Sequence, residues 1–237
     1  MSKLSQLFSR ATRFGRPKPP DWKREDPQVR RSYALNDLDL KLETYLAGAP
    51  GFFIEAGAND GVSQSNTLFF EKHYQWTGLL IEPVPELAKR CQRNRPDCTV
   101  VNTALVPFDF PAKTIEMHAC NLMSLVKGAM KSDEADLEHI ERGCQVQSIE
   151  AYDVEVPAIA LSDLLDRHSI KQVDFLSLDV EGFELSVLKG IDFARHAPKW
   201  MLIEARFRDE IDRFLSDNYE PIDELSHHDI LYRRTWD

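Results

Sequence analysis

Five short apolar runs, separated by stretches of helical spacing, leave this chain few ways to fold. The runs are GFFIEAG (51–57), TGLLIEP (77–83), CTVVNTAL (98–105), QVDFLSLDVEG (172–182) and KWMLIEA (199–205). Runs of this length without polar alternation read as strands covered on both faces, which belong to parallel sheets. Helical patterns fill the gaps. One covers 63–74 with Ser63 or Ser65 as cap, and another covers 85–94 with Pro85 in its first turn. A third covers 183–191 and closes at Gly190, and a fourth covers 208–218 with Ile211, Phe214 and Leu215 on one face. Such alternation implies right-handed βαβ crossovers and an α/β fold. The end of the chain differs. YEPIDEL (219–225) and HHDILYRR (227–234) lie too close for a crossover and must pair antiparallel.

Two segments stand outside the rhythm. Before the first strand, Leu38, Leu42, Tyr45 and Leu46 predict a helix with Asn36 as its cap, stopped by Gly48 and Pro50. Between the third and fourth strands, residues 106–160 form an insertion. Within it TIEMHACN (114–121) and QVQSIEAYDVEVPAIAL (145–161) alternate as half-exposed strands do, around a polar stretch at 127–143. The expected feature is an inserted β-hairpin on the ligand face. A short helix over 162–170, capped by Ser162, leads back to the sheet.

Composition bounds the function. Hydrophobic residues are 43% of the 237, enough for a full core. No apolar run approaches the roughly 20 residues of a membrane-spanning helix. Four cysteines, at 91, 98, 120 and 144, include no CxxC pair, so a disulfide scaffold or zinc ribbon is not expected. A reducing, cytoplasmic setting follows. The net charge of −10 argues against nucleic acid as a partner. That charge is unevenly spread, because residues 1–31 hold nine basic groups and three acidic ones. The prolines of RPKPPDW (16–22) forbid a helix there. We divide the chain into a basic arm, 1–32, and one domain, 33–237. Leu4, Leu7, Phe8 and Thr12 could form one amphipathic turn in the arm. It reads as a solvated tail, a membrane-surface or partner-binding arm, or a transit peptide.

In parallel α/β sheets, ligands bind at the carboxyl ends of the strands. The first strand ends in EAGANDG, where Gly57 and Gly61 permit a tight turn and Asn59 tolerates unusual backbone angles. Glu55 within that strand could order the glycine loop or face a cationic ligand group. Glu82 ends the second strand, 21 residues after Gly61, where an acid can accept hydrogen bonds from ribose hydroxyls. In the third strand Asn102, before Ala104, offers both donor and acceptor to an adenine edge, or simply caps the strand. The fourth strand ends in Asp179, with Glu181 and Glu184 beyond, and the fifth ends in Glu204. Clustered carboxylates raise one another's pKa, so one could accept a proton near neutral pH. Asp179 and Glu204 could also hold a divalent metal ion, unless Glu204 pairs with Arg206 or Arg208. His118, in the inserted hairpin, could reach the substrate or be structural, and the pair His227–His228, in the terminal hairpin turn, has no acid or Cys at metal-ligand spacing. Hydrolase and kinase readings lose support without a GxSxG elbow, a Walker A lysine or an HExxH pair.

The segments GFFIEAGANDGVSQSNTLFFEKHYQWTGLLIEPVPE (51–86) and VDFLSLDVEGFELSVLKGIDF (173–193) resemble the FkbM-type S-adenosylmethionine-dependent methyltransferases. The likeness runs from about residue 33 to 234. It implies a Rossmann-like class I methyltransferase fold, a seven-stranded mostly parallel sheet of order 3-2-1-4-5-7-6 with an antiparallel C-terminal hairpin. It also implies S-adenosyl-L-methionine as cofactor, with Glu55, Gly57, Asn59 and Gly61 as its loop motif. Glu82 then matches the ribose acid, Asn102 and Ala104 the adenine-side segment, and residues 176–184 the fourth-strand signature. The reaction implied is O-methylation of a sugar, glycan or natural-product hydroxyl. Asp179 is the first candidate for the base and Glu181 the second, with Glu204 beside them. A nicotinamide oxidoreductase shares the turn and the ribose acid, but the third glycine of its fingerprint is missing. A non-catalytic adaptor on the same fold is the remaining alternative.

Overall fold

The computed structural model describes residues 20–236. After two short 3-10 turns (Asp21–Arg24 and Leu35–Asp37), the first α-helix among the described residues is α1 (Leu38–Leu46), followed by β1 (Phe52–Ala56), α2 (Leu68–Tyr74), β2 (Thr77–Ile81), α3 (Pro85–Asn94) and β3 (Thr99–Val101). The insertion holds β4 (Ala104–Leu105), β5 (Thr114–Ala119), β6 (Leu125–Val126), α4 (Asp133–Gln147) and β7 (Tyr152–Ile159). Next come α5 (Leu161–Arg167), β8 (Phe175–Leu178), α6 (Glu184–Leu188), α7 (Phe193–His196) and β9 (Trp200–Glu204). The chain closes with α8 (Arg208–Leu215), β10 (Tyr219–Glu224) and β11 (Asp229–Arg234).

Seven strands form the main sheet in the order β10-β11-β9-β8-β1-β2-β3. The pairs β1–β2, β2–β3, β1–β8 and β8–β9 are parallel, whereas β11 runs antiparallel to both β9 and β10. Numbered along the main sheet, this is the 3-2-1-4-5-7-6 order. The order reverses at β1, so the carboxyl ends of β1, β2, β8 and β9 surround one crevice. Because β11 runs the other way, its first residues lie at that same edge, with Asp229 opposite Glu204. The two faces of the sheet are covered by separate apolar clusters. One is built on Ile54, Leu176, Leu178 and Ile203, the other on Phe53, Leu80, Phe175 and Leu202.

The insertion is larger than a hairpin. β5 and β6 do form an antiparallel pair (Met117 opposite Val126), but β7 and β4 extend it into a second, four-stranded sheet. The stretch 127–143, read only as polar and charged, contributes most of α4. Ser132 caps that helix by accepting from the Ala135 amide at 3.1 Å. Most of its acids face solvent, but Asp136 is buried and accepts from the Met130 amide at 2.9 Å, while Ile140 packs on the second sheet and Gly143 against Cys120 and Met123.

Other boundaries moved for local reasons. The run 98–105 breaks in two at Asn102, whose side-chain amide donates to the Glu82 and Pro83 carbonyls at 2.9 and 2.7 Å. β3 stays in the main sheet and β4 crosses to the second. α2 begins at Leu68 rather than at 63, with the Ser65 hydroxyl accepting from the Leu68 amide. Asn36 does not cap α1. It and Asp37 adopt left-handed backbone angles, and buried Asp39 gathers the Tyr33 amide at 2.7 Å and the Ser32 hydroxyl at 2.5 Å. Ser162 lies inside α5 and accepts from the Asp192 amide instead of capping.

The arm boundary at residue 32 does not match a change in packing. Trp22 is buried with Tyr33, Leu68 and Phe69, and its indole N–H donates to the Asn94 carbonyl at 2.7 Å. Residues from Trp22 onward therefore belong to the domain, because an aromatic anchor of this size holds the segment down. The amphipathic turn expected around Leu4–Thr12 lies outside the described residues. Among the described residues no helix is long and apolar enough to cross a membrane.

Candidate active site

At the carboxyl edge of the main sheet lies a cavity of about 440 Å³, within the usual range for small-ligand sites. Gly57, Glu82, Asp179 and Glu204 line it, each from the loop or strand end of β1, β2, β8 or β9. The second sheet and α4 supply the opposite wall with Ala104, Met117, Asn121, His139 and Gln147.

The turn after β1 is closed by two amides. Those of Gly57 and Ala58 donate to the Ile81 carbonyl at 3.0 and 3.1 Å. Gly57 sits at φ +85° against the backbone of Asp179, so its turn and the end of β8 pass each other without room for a side chain. Asn59, at φ 48°, donates its amide to Glu82 Oε2 at 2.8 Å. Glu82 Oε1 accepts from the Val84 amide, also at 2.8 Å. Each carboxylate oxygen thus takes one backbone N–H and keeps a lone pair for a ligand. Burial pushes the Glu82 carboxyl up to about 7, against the two backbone hydrogen bonds.

Three of the expected loop and strand residues serve the loop rather than the cavity. Glu55 is buried beneath it, accepting from the Asn66 amide (2.8 Å), Ser65 Oγ (2.9 Å) and Thr67 Oγ1 (2.5 Å). The fully buried Arg95 guanidinium lies 3.7 Å away. Glu55 has no free face for a ligand, and its role is to order the loop. Gly61 packs against Arg95 and Cys91, away from the cavity. Asn102 is exposed and outside the lining, its amide spent on the two carbonyls named above. The cavity wall here comes instead from the next residues, Thr103, Ala104 and Leu105.

The carboxylates of Asp179, Glu181 and Glu204 each place an oxygen within 4.8 Å of the other two. Their surroundings differ. Arg206 donates to Glu181 at 2.8 Å and to Glu204 at 3.3 Å, so the pairing weighed for Glu204 is present. His139, from α4, puts Nε2 3.4 Å from Glu181 Oε2. Asp179 has no such partner among the described residues and is exposed where it lines the cavity. Partial desolvation by the protein around it, then the charges of Glu204, Glu181 and Glu184, hold its carboxyl well above the usual range. Glu184 turns inward and accepts from the Gly182 amide at 2.9 Å, and burial raises it to about 7. With two of the three carboxylates already sharing a guanidinium, the acidic cluster alone does not define a metal centre.

The histidines singled out in the sequence divide. His118 is outside the lining and pairs with Asp153 at 2.6 Å. His228 lines the cavity because antiparallel β11 begins there, while His227 packs on it with ring centroids 4.3 Å apart. Sequence reasoning missed His139, Arg142, Gln147 and Asn121. The spacing of His139, Arg142 and Val146 is a readable helical face, had 133–147 been taken as a helix.

Stability of the ligand-free protein should fall as pH rises from 4.5 to about 7. In that window Glu82 and Glu184 keep their protons in the fold, whereas the unfolded chain has lost them. The native state then binds more protons, so stability is greatest below the window and declines through it. Each shift corresponds to about 3 kcal/mol at its limit. Thermal unfolding followed across this range should show a falling Tm, with a smaller fall in Glu82→Gln. A flat profile for the parent chain would contradict the burial argument.

The fold and the site define a Rossmann-like α/β protein with a nucleoside-sized crevice at the switch point of its sheet. Residues 55–231 match the methyltransferase FkbM domain, and the chain belongs to that family. A curated relative, "Methyltransferase 1" of Beauveria bassiana (strain ARSEF 2860), is 28% identical over 160 residues, covering 60% of this chain and 58% of that protein. The crystal structure of a methyltransferase FkbM from Methylobacillus flagellatus KT superimposes with a TM-score of 0.48 at 17% identity, over 88% of this chain and 50% of that one. A precorrin-6y C5,15-methyltransferase from Geobacter metallireducens GS-15 superimposes with a TM-score of 0.44 at 9% identity, over 84% of this chain and 87% of that one. The chain thus spans less than two thirds of the length of the curated relative and half of the solved FkbM chain.

Proposed function

We propose that this protein transfers a methyl group from S-adenosyl-L-methionine to a hydroxyl oxygen of a small molecule or glycan, such as a sugar or natural product. The observation that carries the reading is Glu82. It lies at the cavity wall next to the glycine turn, with one lone pair on each oxygen left for a pair of ribose hydroxyls. The residues present fit an adenosyl cofactor. Glu82 would hold the ribose, Ile81, Ala104 and Leu105 would flank the base, and the backbone at Gly57 would lie close because no Cβ intervenes. Family membership supports methyl transfer over the nicotinamide reading.

When bound, that cofactor supplies an electrophilic methyl group on a sulfonium, open to in-line displacement. The chain's own task is to align the acceptor oxygen and to take its proton. Asp179 is suited to accept it, since its carboxylate faces the cavity with no cationic partner among the described residues and its raised pKa makes it a stronger base. Arg206 balances Glu181 and Glu204, which would otherwise oppose ionisation of Asp179. α4 and the second sheet cover this half of the cavity, and their side chains are the natural source of acceptor selectivity.

Calorimetric titration with S-adenosylhomocysteine tests the reading. Binding is expected, with Glu82→Gln weakening it about tenfold and NAD giving no heat. Tight NAD binding, or no nucleoside binding at all, would sink it. A screen of sugars and hydroxylated natural products with labelled cofactor, with and without chelator, then addresses the acceptor and the metal.

A further inference from the structure

α4 lies across the cavity as a roof. At one end His139 reaches Glu181. At the other, Gln147 Oε1 accepts from Asn121 Nδ2 at 3.0 Å, Asn121 Oδ1 accepts from Asn59 Nδ2 at 3.2 Å, and the Asn59 amide binds Glu82. Eight residues of helix, about 12 Å, therefore bridge the carboxylate cluster and the Glu82 wall. Arg142 sits one turn in from His139 on the cavity-lining face.

The surroundings of Arg142 are unusual for a helical arginine. Glu138 stands four residues before it, the best placement for a helical ion pair, and Glu141 is adjacent. Yet among the described residues its guanidinium makes no ion pair and no hydrogen bond, and it lines the cavity instead. The other cavity arginine, Arg206, is committed to Glu181 and Glu204. Arg142 is thus a planar, permanently charged fork, exposed at the cavity lining with its donors open, in a protein of net charge −10. A fork of this kind matches a carboxylate in two-point geometry.

We propose that Arg142 is a carboxylate-recognition residue in the cavity roof, pairing through its guanidinium with the carboxylate of a bound ligand. The proposal rests on the function given above. Two ligands can bring that group: the amino-acid end of the cofactor, or an acidic sugar as acceptor. The two are separable by probes that differ only in the carboxylate.

The test uses the full chain and its Arg142→Gln and Arg142→Lys variants; the exposed, unpaired position makes both compatible with folding. Calorimetry compares S-adenosylhomocysteine with 5′-methylthioadenosine, which keeps the nucleoside and sulfur but lacks the carboxylate. Ligand-observed NMR then compares glucuronate with glucose, in the presence of saturating S-adenosylhomocysteine. A loss of about tenfold for S-adenosylhomocysteine in Arg142→Gln, partly restored in Arg142→Lys, with methylthioadenosine unchanged, supports the proposal and assigns the group to the cofactor. Loss of the glucuronate signal alone, with glucose unchanged, supports it and assigns the group to the acceptor. Equal weakening of both nucleosides, or no change with any probe, overturns it. If the parent chain binds neither nucleoside, the functional reading falls first and the proposal with it.

Discussion

Asp179→Asn should lower turnover by about a hundredfold to ten-thousandfold while leaving S-adenosylhomocysteine affinity within about twofold. Asparagine keeps the shape and the cavity contact but cannot take a proton. The effect should exceed that of Glu181→Gln or Glu204→Gln, because those two carboxylates are held by Arg206 and Asp179 is not. The rate should also climb with pH over a range above that of an ordinary carboxylate. Crowding by the surrounding protein and the neighbouring acids raise the Asp179 carboxyl, so the ionised, proton-accepting form is reached only as pH rises through that higher value. Labelled-methyl transfer measured against pH for the parent and the three variants checks this. Full activity in Asp179→Asn would remove proton acceptance by this residue from the mechanism. Unchanged rates in chelator would remove a metal as well.

Gly57→Ala should cost about 3–5 kcal/mol of folding stability and abolish cofactor binding in whatever fraction stays folded. Two effects add. The φ of +85° is unfavourable for any residue with a Cβ, and that Cβ would sit 1.9 Å from the Asp179 carbonyl oxygen. The obstacle is backbone, not a side chain that can swing away. β1 and β8 are hydrogen-bonded neighbours at this point, with the Asp179 amide donating to the Ala56 carbonyl at 3.1 Å. Relief would therefore require prising the central pair of the sheet apart. Gly128→Ala is the control, since Gly128 has φ +86° but nothing within 4 Å of the added carbon. It should lose only about 1 kcal/mol, the conformational part alone. Chemical denaturation of both variants separates steric from conformational cost. Equal losses would show that the close approach at Gly57 carries no energy.

The legible parts of this protein were those governed by local periodicity and backbone chemistry. Each of the five apolar runs contributed a main-sheet strand, although 98–105 gave only its first part, and the short link at 225–228 could only join antiparallel strands. Gly57, Asn59, Glu82, Ala104, Asp179, Glu181 and Glu204 were likewise found at the cavity, because parallel topology brings strand ends to one edge. Glu55 and Asn102 were legible as polar residues at strand ends but not in their orientation. Whether such a side chain faces the ligand or the loop depends on which donors the folded loop brings to it.

What only the tertiary structure decided lies in the insertion and in the charges. α4 was hidden because its exposed face is acidic and its apolar contacts are few, so a helix stabilised by packing on a distant sheet left a faint periodic trace. Its placement over the cavity brought His139 to Glu181, 42 positions apart, and left Arg142 at the lining with no ion pair among the described residues. The sequence by itself determined the sheet, its order of elements and the turn with its acid, since these follow from neighbours along the chain. The folded chain decided which carboxylates are paired and which is open. Electrostatic environment depends on distances in space, and those distances exist only once the second sheet has closed over the first.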